Sequence, residues 1–425
     1  MKVKTVSMPL ARALAIEPPK KEKLKKPSFF WNTLVRALSI PELIATKFTY
    51  TKTRMEKVKG KPCLILMNHS SFIDLKIASK IFYPRKYFIV STSDALVGKK
   101  WLMKKIGCLP TQKFTADATL PRDIFRALKE LKTSVLLYPE AGYSFDGRTT
   151  TLPQSLGALV KKLNVPVVTV ITEGAFLRQP LYNDLLLRKT KISASVECVL
   201  TPEEIECKSV AELNAVIQDK FSFDAFKTQA EKGIQIDEPN RAVGLNRVLY
   251  RCPACETEGK MQGVGTRLVC EHCKKTYEMD EYGKMNALDG ETEFSHIPDW
   301  YDWERACVKK QLKEKRYSFD LDVEIAILCD YKAVYKVGGG KLTHDENGFT
   351  LTSETGELLF TQKPLASHSV NADFNWYEMG DVICIGDRKR LYYCFPKQKD
   401  VVAKIRLAAE ELYKMRKAEQ SNENE

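Results

Sequence analysis

Between residues 63 and 200 the chain alternates short apolar runs with stretches whose apolar positions recur every three to four residues. The runs Cys63–Met67, Lys86–Ser91, Ser134–Tyr138, Val165–Ile171 and Lys191–Leu200 read as strands. Ser134–Tyr138 and Val165–Val170 have the uniform, β-branched character of strands buried on both faces. Between them, Ile73–Phe82, Pro121–Leu131 and Leu156–Leu163 carry helical periodicity. In Pro121–Leu131 the proline opens the helix, and Ile124, Leu128 and Leu131 share one face. Strand and helix in alternation predict an α/β sandwich with a largely parallel sheet. A long helix around Val210–Gln229 is expected to close it.

Two further patterns flank this core. Before it, Phe29-Phe30-Trp31, Leu34, Val35 and Leu38 form an apolar helical face, and Pro41 restarts the helix toward Leu43 and Ile44. After it, Trp300-Tyr301-Asp302-Trp303 opens a helix to about Lys315, followed by seven strand-like runs: Tyr317–Leu328, Ala333–Val337, Gly348–Thr352, Glu357–Thr361, Trp376–Met379, Val382–Ile385 and Leu391–Phe395. Gly338-Gly339-Gly340, Asn347-Gly348, Thr355-Gly356 and Gly386-Asp387 punctuate them as hairpin turns would. A final helix, Gln398–Lys417, turns Val401, Ile405, Leu412 and Met415 inward. Seven antiparallel strands capped by a helix predict a pleckstrin-homology-like domain. The expected organisation is a basic, amphipathic segment at 1–60, an α/β domain at 61–232, a linker at 233–247, a cysteine-bearing module at 248–280 and a β-rich domain at 281–425.

Length and composition add two constraints. The 425 residues, 44% hydrophobic, suit two or three packed units. No uninterrupted apolar stretch reaches about 20 residues, so no transmembrane helix is expected. Charges break the Met1–Ile16 stretch too often for a secretory signal. The net charge is +13. Its densest run, Lys20, Lys21, Lys23, Lys25 and Lys26, immediately precedes Phe29-Phe30-Trp31. Lysines beside an aromatic amphipathic helix suit an anionic membrane surface, with about 1 kcal/mol per basic residue near it. A peripheral position on the cytoplasmic face of a membrane is the expectation.

The candidate chemistry starts at Asn68-His69-Ser70-Ser71-Phe72-Ile73-Asp74. His69 is the first of five histidines, the next being His272, so it is the one side chain of the α/β region that titrates near neutrality unperturbed. A histidine with a carboxylate on its far ring nitrogen is two-thirds of a triad, and the missing hydroxyl would come from the substrate. Asn68-His69-x4-Asp74, followed by Pro139-Glu140 after a buried strand and by the Val165-Pro166-Val167 strand, resembles the glycerolipid acyltransferase family, whose type member acylates 1-acyl-glycerol-3-phosphate. The resemblance spans roughly residues 61–200. It implies that His69 is the base, Asp74 its orienting carboxylate, and that Glu140, Gly142 and Lys113 position the acceptor. It also implies an acyl thioester donor, acyl-CoA or acyl carrier protein, and a lysophospholipid acceptor in phospholipid biosynthesis.

Two motifs depart from the family's pattern. The second, Gly-x-x-Phe-x-x-Arg, falls on Gly107 to Lys113, where a lysine stands for the arginine. In the third, Ala141, Gly142 and Tyr143 replace glycine, threonine and arginine. Arginine reads phosphate with a planar fork, lysine is a point charge and tyrosine is neutral. Lys113 and the nearby Arg148 are the remaining cations for an anionic acceptor. Backbone N–H groups at the start of the helix after His69 are the expected donors to the oxyanion. With no cysteine in Asn68–Asp74 or in Pro139–Ser144, no covalent acyl-enzyme is required.

The second signal is Cys252-x2-Cys255 and Cys270-x2-Cys273, two knuckles 14 residues apart. This spacing reads as a zinc ribbon with four thiolates and no open position, hence a structural zinc, with His272 a bystander. The other eight cysteines are scattered, a usage that fits a reducing, cytosolic compartment. Basic charge beside a ribbon raises nucleic acid as a minor alternative partner, but Glu256, Glu258, Glu271, Glu278 and Asp280 offset the ribbon's own cations. The rival of another class is a non-catalytic zinc-ribbon adaptor that keeps an acyltransferase-like fold to bind lipid or acyl carrier.

Overall fold

In the computed structural model, which describes residues 2–20, 22–115 and 119–423, seven strands form one twisted sheet. Their order is Thr49–Thr53, Ser193–Leu200, Val167–Glu173, Leu64–Met67, Ser134–Leu137, Tyr87–Thr92 and Cys108–Thr111. Every neighbouring pair is parallel except Val167–Glu173 with Ser193–Leu200. The central strand, Leu64–Met67, is buried at all four positions, as its unbroken apolar run requires. Two apolar clusters cover the two faces. One gathers Ile65, Met67, Ile77 and Ile81 under the helix Phe29–Ala45; the other gathers Leu64, Leu66, Leu128 and Val160.

The first strand of this sheet lies before residue 61, the expected start of the domain. It is short, polar and exposed, so its apolar pattern gives no sign of it. The expected helix at Val210–Gln229 is two, Val210–Lys220 and Ala225–Glu231. Phe221 is fully buried between them, and Asp224 caps the second by accepting the N–H of Lys227 at 2.8 Å. Helix Phe29–Ala45 runs unbroken through Pro41 instead of restarting there.

The four ribbon strands, Met261–Val264, Arg267–Cys270, Thr276–Met279 and Met285–Ala287, form an antiparallel meander. The expected linker before it is packed, not free: Ile236, Ala242 and Leu245 are buried, and Arg241 donates to the Met279 carbonyl at 2.8 Å.

The C-terminal sheet runs Leu359–Gln362, Gly348–Ser353, Val334–Asp345, Phe319–Leu328, Leu391–Pro396, Val382–Gly386 and Asn371–Asp373, antiparallel throughout. Helix Val402–Glu423 packs across it. The order agrees with the pleckstrin-homology-like expectation, with two local corrections. Gly338-Gly339-Gly340 is no turn but the middle of strand Val334–Asp345, where a Cβ on Gly340 would stand 2.3 Å from the Thr352 carbonyl oxygen. Trp376–Met379 is a 3₁₀ turn rather than a strand, and the edge strand is Asn371–Asp373. An eighth strand comes from the other end of the chain: Thr5–Ser7 pairs in parallel with Val334–Lys336, and Leu10 and Ala13 behind it are buried. The first residues of the expected membrane arm are therefore part of the β domain. Lys21 of that arm lies outside the described residues.

Candidate active site

Adjacent parallel strands bring the distant motifs to one edge. His69 follows Leu64–Met67, Glu140 follows Ser134–Leu137, Asp94 follows Tyr87–Thr92, and Lys113 follows Cys108–Thr111. These four strands are neighbours in that order, so their carboxyl ends line up the four side chains, the edge where open α/β sheets place their ligands.

The His69 ring is set by Asp74, the first residue of helix Asp74–Phe82. Nδ1 of His69 lies 2.9 Å from Oδ2 of Asp74, which is 1% exposed. The same oxygen accepts the backbone N–H groups of Ser70 at 2.9 Å and Ser71 at 3.2 Å. With Nδ1–H donated to it, the free lone pair of His69 is on Nε2. Those amides are spent, which corrects one expectation: Ser70 and Ser71 cannot also serve an oxyanion. Asn68 fixes the turn from behind. Its Oδ1 accepts from Thr172 N at 2.8 Å and Thr172 Oγ1 at 3.0 Å, and its Nδ2 donates to the Thr172 carbonyl at 3.2 Å.

Glu140 ties the third motif to the first. Its Oε1 accepts the His69 backbone N–H at 3.0 Å and its Oε2 the Thr150 N–H at 3.0 Å. Burial pushes its carboxyl up to about 7, against the pull of those two amides. The preceding Tyr138 and following Tyr143 sandwich the imidazole, with ring centroids 4.2 and 4.1 Å from it. Burial lowers the pKa of His69, outweighing the Asp74 hydrogen bond that raises it, and the Lys113 charge lowers it further. The ring is therefore neutral near pH 7, as a base must be. The two tyrosines escaped the sequence reading. Tyr143 stood there only as a lost arginine, although an aromatic on each side of the Pro139–Gly142 turn is visible in the chain.

The expected acceptor residues divide. Lys113 is at the edge and within electrostatic reach of His69, Asp94 and Asp373. Gly142 lies on the turn between Glu140 and Tyr143, with open space where a Cβ would project. Arg148 is not available. Its guanidinium binds Asp302 in a two-pronged pair, 2.7 Å on each side, and also Asp146 at 2.8 Å and the Pro298 carbonyl at 3.1 Å. It fastens the site loop to helix Ile297–Lys313, which the sequence spacing could not reveal.

The four ribbon cysteines converge. Their sulfurs all lie within 4.8 Å of one another, with Cys252–Cys273 and Cys255–Cys270 at 3.7 Å. A tetrahedron with metal–sulfur bonds of about 2.3 Å has edges of about 3.8 Å, so the sulfurs already span a metal-sized cage. His272 instead faces Thr257, 3.4 Å away.

Residues 49–173 match the family model described as Acyltransferase, so this stretch carries an acyltransferase-type domain. Among solved structures the chain is similar to the 1-acyl-sn-glycerophosphate (LPA) acyltransferase PlsC from Thermotoga maritima. That likeness is 16% in sequence identity, with a TM-score of 0.35, and covers 45% of this chain and 81% of that chain. No curated protein matches the chain by sequence.

Proposed function

We propose that the domain moves a fatty acyl group from an acyl thioester, acyl-CoA or acyl carrier protein, to a hydroxyl of a lysophospholipid. The observation that carries this is the 2.9 Å contact of His69 Nδ1 with Asp74 on an imidazole kept neutral by burial. Nε2 of His69 takes the acceptor's hydroxyl proton as its oxygen attacks the thioester carbonyl. Asp74 holds the tautomer and stabilises the imidazolium that forms. The thiol leaves with a proton as the tetrahedral adduct collapses, which returns His69 to neutrality. General base assistance of this kind is worth on the order of 10²–10⁴ in rate. Glu140 acts through the His69 backbone and the Thr150 loop, and is a positioning residue.

The ribbon cysteines would hold a structural zinc ion. Four thiolates fill its coordination, so no step of the reaction passes through it.

The lipid would arrive from the side of helix Phe29–Ala45. No helix among the described residues is long and apolar enough to cross a membrane. Yet this helix is apolar on two sides: Val35 and Leu43 face the sheet, while Phe30, Leu38 and Ile44 are 67–69% exposed. Trp101, 60% exposed, extends the patch through its edge-to-face contact with Trp31 at 5.4 Å. Lys86 lies over the Phe29 ring, and Lys23, Lys25 and Lys26 precede it. An exposed aromatic and aliphatic patch rimmed by lysines suits the surface of an anionic bilayer. The test is transfer of a labelled acyl group from its thioester to a lysophospholipid presented in anionic vesicles, with the labelled diacyl product as readout.

A further inference from the structure

The turn that follows Glu140 meets His69 on one side and the C-terminal domain on the other. Toward His69, Glu140 holds the imidazole's backbone and the Tyr143 ring stacks on the imidazole itself. The turn's own hydrogen bonds pass Tyr143 by: the Ala141 N–H bonds the Tyr138 carbonyl, and Ser144 Oγ bonds the Arg148 carbonyl at 2.6 Å. Tyr143 is held instead from the far end of the chain. Arg406, on helix Val402–Glu423, donates from Nη1 to the Tyr143 carbonyl at 3.3 Å. Its guanidinium lies over the Phe145 ring, 4.4 Å from the centroid, and Phe374 meets that same ring at 4.3 Å. The domain is packed on beyond this turn as well. Val97 joins the apolar cluster of Trp376, Val382 and Tyr393, and the Gly98 N–H bonds the Tyr331 carbonyl at 2.9 Å.

Arg406 is itself fixed. It is 5% exposed, and its Nε donates to Glu410 at 3.2 Å. That carboxylate also accepts from Ser369 Oγ at 2.9 Å and pairs with Arg305 at 2.8 Å. An apolar side chain would fill this space without the cost of burying a charge. The guanidinium adds what an apolar side chain lacks, a donor aimed at the Tyr143 carbonyl. We infer that Arg406 is a positioning residue of the acyl transfer: by holding the Tyr143 carbonyl it keeps the Tyr143 ring seated on His69. The C-terminal β domain is then part of the frame of the active site. This inference rests on the acyl-transfer reading above. Its consequence falls on the imidazole, which Tyr138 and Tyr143 shield from water. Of the charged groups that face the ring, Asp74 favours the imidazolium and Lys113 opposes it, while Glu140 touches it only through the backbone. Burial is what holds its pKa below 6.5, so a displaced Tyr143 lets that pKa rise.

The test uses the full chain carrying Arg406→Met, which keeps the stem without its donors, beside Arg406→Lys, which returns one charged donor. Two readouts are taken across pH. One is kcat and KM with acyl-CoA and a lysophospholipid; the other is NMR titration of the His69 ring, identified by its loss in His69→Gln. Arg406→Met should lower kcat by about tenfold to a hundredfold, the scale of a group displaced by about an ångström, and change KM much less. The acid limb of kcat/KM and the His69 titration should both move up toward 6.5. Arg406→Lys should recover part of each change. Phe374→Leu removes the ring against Phe145 and leaves Arg406 in place. It should shift both readouts the same way to a smaller extent, and it decides the matter if Arg406→Met does not fold. An arginine that serves packing alone would lower the melting temperature and leave the limb and the titration at their wild-type positions. That result would overturn the inference while leaving acyl transfer standing. Failure of wild type to turn over any lysophospholipid would sink the acyl-transfer reading by itself, and the His69 titration would still show whether Arg406 seats Tyr143.

Discussion

Glu140 holds His69 by its backbone: Oε1 accepts the His69 N–H at 3.0 Å, so the carboxylate of one motif sets the position of the imidazole in another. Burial pushes this carboxyl up to about 7, above the ordinary 4.5 of a glutamate. A carboxyl whose pKa rises on folding binds more protons in the native state than in the unfolded one. Its contribution is fully present below about pH 4.5 and is lost as pH rises through about 7. The raised value corresponds to about 3 kcal/mol across that window. Glu140→Gln removes this titration. Relative to wild type, the variant should therefore gain stability between pH 4.5 and pH 8, measured by urea unfolding. A difference that stays constant with pH would show that Glu140 does not titrate there.

The neutrality of His69 has a kinetic signature. With its pKa held below the ordinary 6.5 by burial, kcat/KM should stay flat from pH 8 down past that value and fall only in more acidic solution. A rising limb at or above pH 6.5 would mean that Asp74, not burial, governs the ring.

Ala141 sits at a φ of 55°, the left-handed region, in the turn between Glu140 and Tyr143. A residue with a Cβ costs about 1–2 kcal/mol there. Ala141→Gly should raise the melting temperature by a few degrees, less the extra flexibility that glycine gives the unfolded chain. A lower melting temperature would contradict that conformation.

The ribbon predicts one zinc per chain. Cys270→Ser, or chelation of the native protein, should release it and cost several kcal/mol of stability. The loss should reach beyond the ribbon, because Cys252, Cys270, Tyr277 and Met285 belong to the same apolar cluster as Trp300 and the C-terminal helix. Metal analysis beside calorimetry checks both points. Purified protein without zinc and with unchanged stability after chelation would contradict them.

Docking on a membrane makes Phe30, Leu38 and Ile44 interchangeable with polar residues as far as folding is concerned, since each is mostly exposed. Leu38→Ser with Ile44→Ser should weaken sedimentation with anionic vesicles at least tenfold, at about 1.5–3 kcal/mol for each side chain that loses its burial in lipid. Equal binding by the double variant would move the docking surface elsewhere.

What the sequence made legible was local. The His69–Asp74 spacing fits one helix start, the strands around it are apolar throughout, and the Cys-x2-Cys pairs need only two tight turns. What stayed hidden depends on residues far apart in the chain. Arg148 reads as a spare cation until Asp302 closes on it from 154 positions away. Thr49–Thr53 and Thr5–Ser7 are edge strands without an apolar run. Helix Val402–Glu423 is buried on every side through its first turns, including Arg406, Glu410 and Glu411, because ion pairs substitute for apolar contact. Such a helix reads as amphipathic, and the cover it helps place over the active edge cannot be seen in any window of sequence.

The most direct measurement is thioester consumption together with acylated-lipid formation by the purified full chain, wild type beside His69→Ala. Wild type should form product with a lysophospholipid acceptor. His69→Ala should fall by a factor on the order of 10²–10⁴ with its melting temperature unchanged. Equal turnover by the two proteins, or thioester loss without lipid product, would contradict a His69-driven acyl transfer.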